Sequence, residues 1–374
     1  MKVAIAGGIT GGHLFPALTI AQALMTRGHR VLYLGAQHGI EARGELPVPH
    51  VLLDMRGLRS THRTLWSVPL TIWRARRAAH RILDEFGAEL LFTTGGYASI
   101  PIALAHLKRG GALVLLEPDA LPGKANRWLA KRATRICVNF EEAIQAFGAE
   151  RAVRTGLPLR PEVYPPELEQ GRARAMFGMK PDKFTVLVVG GSQGAGALNE
   201  ATLGTVQYLP SGALQWLHLT GEAHYETVRA TAERLGLNGN YQPRPFLTAA
   251  AMGQAYRAAD VVVGRGGAGS LAEFALNGLP MIVIPYPHAA GGHQRYNCQA
   301  LVKRGAAILL EQAELSPKTL AEQLLNLRDC PELRERMQHA ARRWAIPDAT
   351  ERIVQLLEEV GDVHAHRRPF DHAP

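Results

Sequence analysis

Residues 261–285 read VVVGRGGAGSLAEFALNGLPMIVIP, two apolar runs joined by a glycine-rich turn and a short helical pattern. Val261–Val263 is a short β-branched run, the signature of a buried parallel strand. Gly264, Gly266, Gly267 and Gly269 then let backbone approach a ligand closely. The pattern predicts Ser270 as an N-cap and a helix over Ser270–Leu276, stopped by Gly278 and Pro280, before a strand at Met281–Ile284. A glycine turn feeding a helix N-terminus is an anion site, because N–H groups and the helix dipole converge there. Glu273 lies one turn into that helix, where a carboxylate can accept from both hydroxyls of a ribose. The window therefore reads either as a nucleotide-diphosphate site or as an ordinary βα turn with a surface glutamate.

The same strand–glycine–helix unit recurs upstream. Thr185–Val189 precedes Gly190–Gly196, and Val3–Ala6 precedes Gly7–His13, with Pro16 expected in the first turn of a helix to about Arg27. Leu90–Phe92 leads into Thr93–Ser99, and Leu113–Leu116 into Glu117-Pro118-Asp119. In open α/β sheets ligands sit at such strand C-termini. Val31–Leu34 ends on Gly35-Ala36-Gln37 and not on an acid, and the first glycines are not spaced G-x-G-x-x-G, which argues against NAD. Pro158, Pro161, Pro165 and Pro166 mark a linker near Arg160. The expected class is α/β, with two Rossmann-like domains whose parallel sheets face a deep cleft. The expected bounds are 1–160 and 161–344, a last helix over about 345–362 that can return to the first domain, and a flexible tail at 363–374.

Composition narrows the partners. At 374 residues two domains are the prior. A net charge of +9 points to an anionic partner, and the few aromatics do not alternate with basic residues, which speaks against a nucleic-acid groove. Cys137, Cys298 and Cys330 form no C-x-x-C and suit a reducing compartment without a metal site. The first strand follows Met1-Lys2 directly, so no signal peptide is read, and no apolar run reaches spanning length.

Taken together, the pieces resemble the MurG family of N-acetylglucosaminyl transferases, enzymes of GT-B architecture that act in peptidoglycan synthesis. Gly7–His13 is similar to the family's GGTGGH loop with Ile9 inserted, Gly95–Pro101 to GGYxSxP, and Gly190–Asn199 (GGSQGAGALN) to its third loop. Val261–Pro285, His293-Gln294 and Asn297 resemble its nucleotide-sugar site. The likeness runs in order over roughly residues 1–345. Two places depart: Leu116-Glu117-Pro118-Asp119 stands where the family has His-Glu-Gln-Asn, and Leu157 where it usually has Asn.

The resemblance implies an inverting transfer of N-acetylglucosamine from UDP-N-acetylglucosamine to the muramoyl hydroxyl of lipid I. It implies a peripheral location on the cytoplasmic face of the inner membrane, no cofactor, and no nucleic-acid partner. Other cell-wall enzymes stay open as partners. Donor contacts fall on Thr10, Gly11, Gly12, Arg160, Ser192, Gln193, Leu247 beside Phe246, Ala268, Gly269, Ser270, Glu273, His293 and Gln294. His13 is a base or a loop-orienting group, and Glu117 a base or a turn carboxylate. Tyr97, Ser99, Asp119, Asn126 and Asn199 fall on the acceptor side or pack. No D-x-D occurs, so no catalytic metal is expected. Another acceptor, or a sugar-nucleotide epimerase, are the competing readings.

One stretch is left over. From Met55 to Leu83 there are seven arginines and no acid, interleaved with Trp66 and Trp73. Lys124, Arg127, Trp128, Lys131, Arg132 and Arg135 repeat the pattern. Tryptophan beside arginine is what an interfacial helix uses on anionic lipid. Trp66, Trp73, Arg74, Arg77 and Trp128 therefore form a candidate membrane patch, against a solvated basic face with the tryptophans in the core.

Overall fold

The computed structural model describes residues 1–55, 67–164, 167–191, 194–237 and 239–367. It divides into two compact units, Met1–Leu159 with Pro347–Pro374, and Arg160–Ile346. The first unit runs β1 (Lys2–Ala6), α1 (Gly11–Thr26), β2 (Arg30–Ala36), β3 (His50–Leu53), α2 (Ser67–Phe86), β4 (Leu90–Thr93), α3 (Ser99–Lys108), β5 (Ala112–Glu117), α4 (Lys124–Ala130), β6 (Arg135–Val138), α5 (Glu142–Phe147) and β7 (Ala152–Arg154). These seven strands form one parallel sheet, ordered β3-β2-β1-β4-β5-β6-β7. Helices cover both faces, which is why β4 and β5 are buried along their whole length and read as apolar runs. Strand order reverses beside β1, so the chains leaving β1 and β4 bound a crevice at the sheet's C-terminal edge.

The second unit runs α6 (Gln170–Met176), β8 (Thr185–Val189), α7 (Gly196–Thr205), β9 (Gln215–Leu219), α8 (Tyr225–Arg234), β10 (Tyr241–Arg244), α9 (Ala249–Ala258), β11 (Val261–Gly264), α10 (Ala268–Leu276), β12 (Met281–Val283), α11 (His293–Lys303), β13 (Ala307–Leu309), α12 (Pro317–Asp329) and α13 (Pro331–Trp344). Its six strands are parallel in the order β10-β9-β8-β11-β12-β13, and the reversal falls between β8 and β11. The last helix, α14 (Ala349–Arg367), packs on α1 in the first unit. Arg27 pairs with Glu351 and Glu358, and His29 Nε2 lies 2.9 Å from Glu358.

Three expectations need correction. The first helix begins at Gly11, so Pro16 sits inside it and not in its first turn. Extended Thr10 starts it, and its carbonyl accepts from His13 and Leu14 N–H at 3.1 and 3.0 Å. The helix after β11 begins at Ala268 with Gly267 in the capping position, and Ser270 makes no capping bond. Residues 363–367, read as tail, continue α14, while 368–374 lie outside the described residues.

Candidate active site

In the first unit the loop after β1 meets the loop after β4. His13 stands in the first turn of α1, and its Nδ1 lies 2.8 Å from the Thr94 carbonyl. A carbonyl only accepts, so Nδ1 carries a proton, and in the neutral ring Nε2 is the basic nitrogen. Thr94 Oγ1 donates back to the His13 carbonyl at 2.8 Å, locking the two loops together. The N–H groups of Gly11 and Gly12, at the first two helical positions, fall outside the helix's own ladder. Exposed Thr10 precedes them. Ser99 is buried and donates to the Gly96 carbonyl at 2.7 Å, whereas Tyr97 stands half out in solvent.

Glu117 ends β5 as a buried carboxylate. It accepts from Asp119 N–H (3.0 Å), Gly123 N–H (3.1 Å) and Asn126 Nδ2 (3.0 Å). Burial pushes its carboxyl up to about 8, the charge of Asp119 adds to this, and the three donors pull it back. Its geometry is that of a brace for the loop Pro118–Gly123. Asn126 also donates to the Leu116 carbonyl at 3.1 Å, and its buried Oδ1 has no protein partner among the described residues.

In the second unit the helix starts at Ala268, Gly269 and Ser270 sit at the C-terminal edge of β11. Gly266 is required there: a Cβ would overlap Cys298 Sγ and come within 2.6 Å of the Gln294 carbonyl, so its absence lets α11 pack against the loop. Asn297 Nδ2 ties that contact by donating to the Gly266 carbonyl at 3.1 Å. Gln294 Oε1 accepts from Tyr286 N–H at 2.9 Å, and His293 Nδ1 lies 2.8 Å from the Ala290 carbonyl. Buried Arg265 donates to the Ile284 carbonyl at 3.2 Å beneath the Tyr286 ring. Phe246 is 63% exposed beside half-buried Leu247, just ahead of α9.

Glu273 has a protein partner that its sequence position does not announce. The buried Tyr256 hydroxyl donates to Glu273 Oε2 at 2.5 Å. Burial raises the Glu273 carboxyl, while Tyr256 and the positive charge of Arg160 pull it down. Arg160 thus acts electrostatically on the Tyr256–Glu273 pair.

Several expected site residues are placed elsewhere. Asn199 belongs to the second unit and is buried, with Nδ2 donating to the Thr220 carbonyl (3.0 Å) and Oδ1 facing His218 Nε2 (2.9 Å), so both ends of its amide are engaged in packing. Ser192 and Gln193 in the third glycine loop, and Trp66 in the basic stretch, lie outside the described residues. Trp73 is 56% exposed and Trp128 41%, so neither is in the core. Arg77 lies 5.7 Å from the Trp73 ring and Arg132 4.7 Å from the Trp128 ring. Among the described residues no helix is long and apolar enough to cross a membrane, and no cluster of three His, Cys, Asp or Glu is suited to a metal. A reading of the sequence misses Thr94 and Tyr256, because each is joined to its partner only through the fold.

Residues 3–138 match the glycosyltransferase family 28 N-terminal domain and residues 185–353 its C-terminal domain. The chain is 36% identical to the UDP-N-acetylglucosamine–N-acetylmuramyl-(pentapeptide) pyrophosphoryl-undecaprenol N-acetylglucosamine transferase of Desulforamulus reducens, over 96% of this chain and 99% of that one. It is 34% identical to the enzyme of the same name from Bacillus subtilis, at the same coverage. The crystal structure of Acinetobacter baumannii MurG superposes with a TM-score of 0.79 at 29% identity, covering 96% of this chain and 99% of that one. With two parallel-sheet Rossmann-like units, glycine loops at both switch points and near-full-length identity of this order, the chain belongs to the MurG family of GT-B glycosyltransferases.

Proposed function

We propose that the protein transfers N-acetylglucosamine from UDP-N-acetylglucosamine to the muramoyl C4 hydroxyl of lipid I, with inversion, giving lipid II. The observation that carries this is near-full-length identity to transferases of that name, together with helix N-termini at the switch points of both sheets. The acceptor oxygen attacks the anomeric carbon, the bond from that carbon to the diphosphate oxygen breaks, and UDP leaves. His13 takes the hydroxyl proton on Nε2; its bond to the Thr94 carbonyl supports this by fixing the tautomer. Glu117, with three N–H donors, orients the loop carrying Asp119 and the Asn126 side chain of α4 toward the acceptor. Tyr97 and Ser99 lie on the same acceptor side.

In the second unit the N-terminus of α10, with Ala268, Gly269 and Ser270, stabilises the leaving diphosphate, and Ser192 and Gln193 add contacts. Glu273 holds the uridine ribose with the oxygen that Tyr256 leaves open, and Arg160 supplies positive charge. Leu247 lies against the uracil. Gln294 and His293 read the sugar hydroxyls. Thr10, Gly11 and Gly12 complete the donor contacts.

The acceptor is lipid-anchored, so the enzyme works at an anionic membrane surface. Exposed Trp73 and Trp128 under Arg77 and Arg132 support this, as does α2, which buries Ala75, Ala79 and Leu83 and leaves Arg74 and Arg77 outward. The test is transfer of labelled N-acetylglucosamine to lipid I in detergent, beside other lipid and small-molecule acceptors. Label on lipid I alone is expected. Label only on another acceptor, or UDP released with no acceptor present, would replace this reading by another transferase or by an epimerase.

A further inference from the structure

Ile9 is the one non-glycine residue among those described whose φ, +69°, lies in the left-handed region. A β-branched residue is penalised there, so the surroundings must hold it. They do so at two points. The Ile9 side chain packs on the core beneath the first sheet. Its N–H donates to both oxygens of Glu41, at 3.0 and 2.9 Å. Glu41 sits in a single turn after β2, is 1% exposed, and also accepts from Ala36 N–H at 2.9 Å. A Cβ on Gly8 or Gly39 would overlap its carboxylate, so the backbone on both sides is shaped around it. The Tyr33 hydroxyl donates to the Gly7 carbonyl at 2.9 Å and holds the same loop from below.

We infer that Glu41 is a positioning residue for the transfer: it holds Ile9 in its strained conformation, and that conformation sets where Thr10 starts α1 and where His13 meets Thr94. Buried carboxylates are expensive, and among the described residues no lysine or arginine pairs with this one. Two backbone N–H groups satisfy it: that of Ile9 in the loop, shared between both oxygens, and that of Ala36 at the end of β2. The inference rests on the reading of Thr10–His13 as the working loop.

The test is a rescue. Whichever way its amide is placed, Glu41→Gln turns an NH₂ toward the Ile9 N–H, so one of that donor's two contacts is replaced by a donor–donor repulsion. Its kcat for transfer to lipid I is expected to fall at least about tenfold. Adding Ile9→Gly removes the need for a clamp, because glycine takes positive φ without penalty. Glu41→Gln with Ile9→Gly is expected to return kcat to within about threefold of wild type while its melting temperature stays low, since the Ile9 side-chain packing is gone and glycine adds unfolded-state entropy. A residue that served stability alone would show no such recovery, because glycine there adds unfolded-state entropy. If Glu41→Gln cannot be purified folded, a folded and active double variant supports the inference equally. Wild-type kcat in Glu41→Gln overturns it. So does a double variant that is as slow as Glu41→Gln, or that is unfolded. His13→Ala is assayed in parallel: a wild-type rate there removes the base role of His13, whatever the Glu41 pair shows.

Discussion

Replacing Glu273 by alanine has two separable effects. The first is on the protein itself. Tyr256 is buried, and its hydroxyl would lose its acceptor. An orphaned buried donor costs about 1–3 kcal/mol. For a unit of this size that is a fall in melting temperature of roughly 2–4 °C per kcal/mol. The second is on the donor. A charged hydrogen bond to the ribose is worth about 1.5–3 kcal/mol, or roughly 10- to 150-fold in Kd. Glu273→Gln separates the two, because its amide oxygen still accepts from Tyr256 while the charge is gone. It should melt near wild type and bind donor nearly as weakly as Glu273→Ala. Tyr256→Phe does the converse. It removes a group that pulls the Glu273 carboxyl down, so the carboxyl rises further and donor affinity fades at a higher pH than in wild type as pH falls. Calorimetric titration with UDP-N-acetylglucosamine, beside thermal melts, reads both effects. A folded Glu273→Ala enzyme with unchanged donor affinity refutes the ribose assignment.

His13→Ala should lower turnover by about 10²–10⁴ with far less effect on donor binding, as single-turnover rates and calorimetry would report. Glu117→Ala should be slow as well, but with protease sensitivity in the Pro118–Gly123 loop it braces; slow turnover with the loop intact would move the base role to Glu117. Trp73→Ala with Arg74→Glu and Arg77→Glu should abolish flotation with anionic vesicles and leave donor affinity unchanged; wild-type binding falls with salt, and a variant that still floats removes α2 from the membrane face. Burial pushes His218 down to about 3 from an ordinary 6.5. Below pH 6.5 the unfolded chain binds a proton that the folded one refuses, so stability is lost as pH falls from 6.5 toward 3. His218→Gln should flatten the melting temperature across that window, and an unchanged slope would refute the claim.

The strands legible in the sequence are those buried on both faces. Val186–Val189 in β8 and Val261–Val263 in β11 are apolar throughout, as a parallel sheet between helix layers requires. β9 is illegible because Gln215 and His218 interrupt it. Both are buried, but their polarity is met by Lys180, Lys183, Thr185, Asn199 and Tyr241, partners that exist only in the fold. β10 carries Pro243 and stands at the sheet edge, where a missing N–H is tolerated. In the site, the glycine loops are legible because close backbone approach leaves a compositional mark. The groups that orient the candidate residues are not. Thr94 reaches His13 across 81 positions, and Tyr256 and Glu41 reach their partners by tertiary contact alone.

The return of α14 to α1 also sets an order of assembly. The second unit is one uninterrupted segment, Arg160–Ile346, set into a first unit made from both ends of the chain. Domains generally fold as units while they are being synthesised. Here the later-made unit has all its residues once Ile346 leaves the ribosome, whereas the earlier-made one still awaits the helix that meets Arg27 and His29. Until then α1 keeps an uncovered side on the nascent chain, and the half of the molecule begun first is the half completed last.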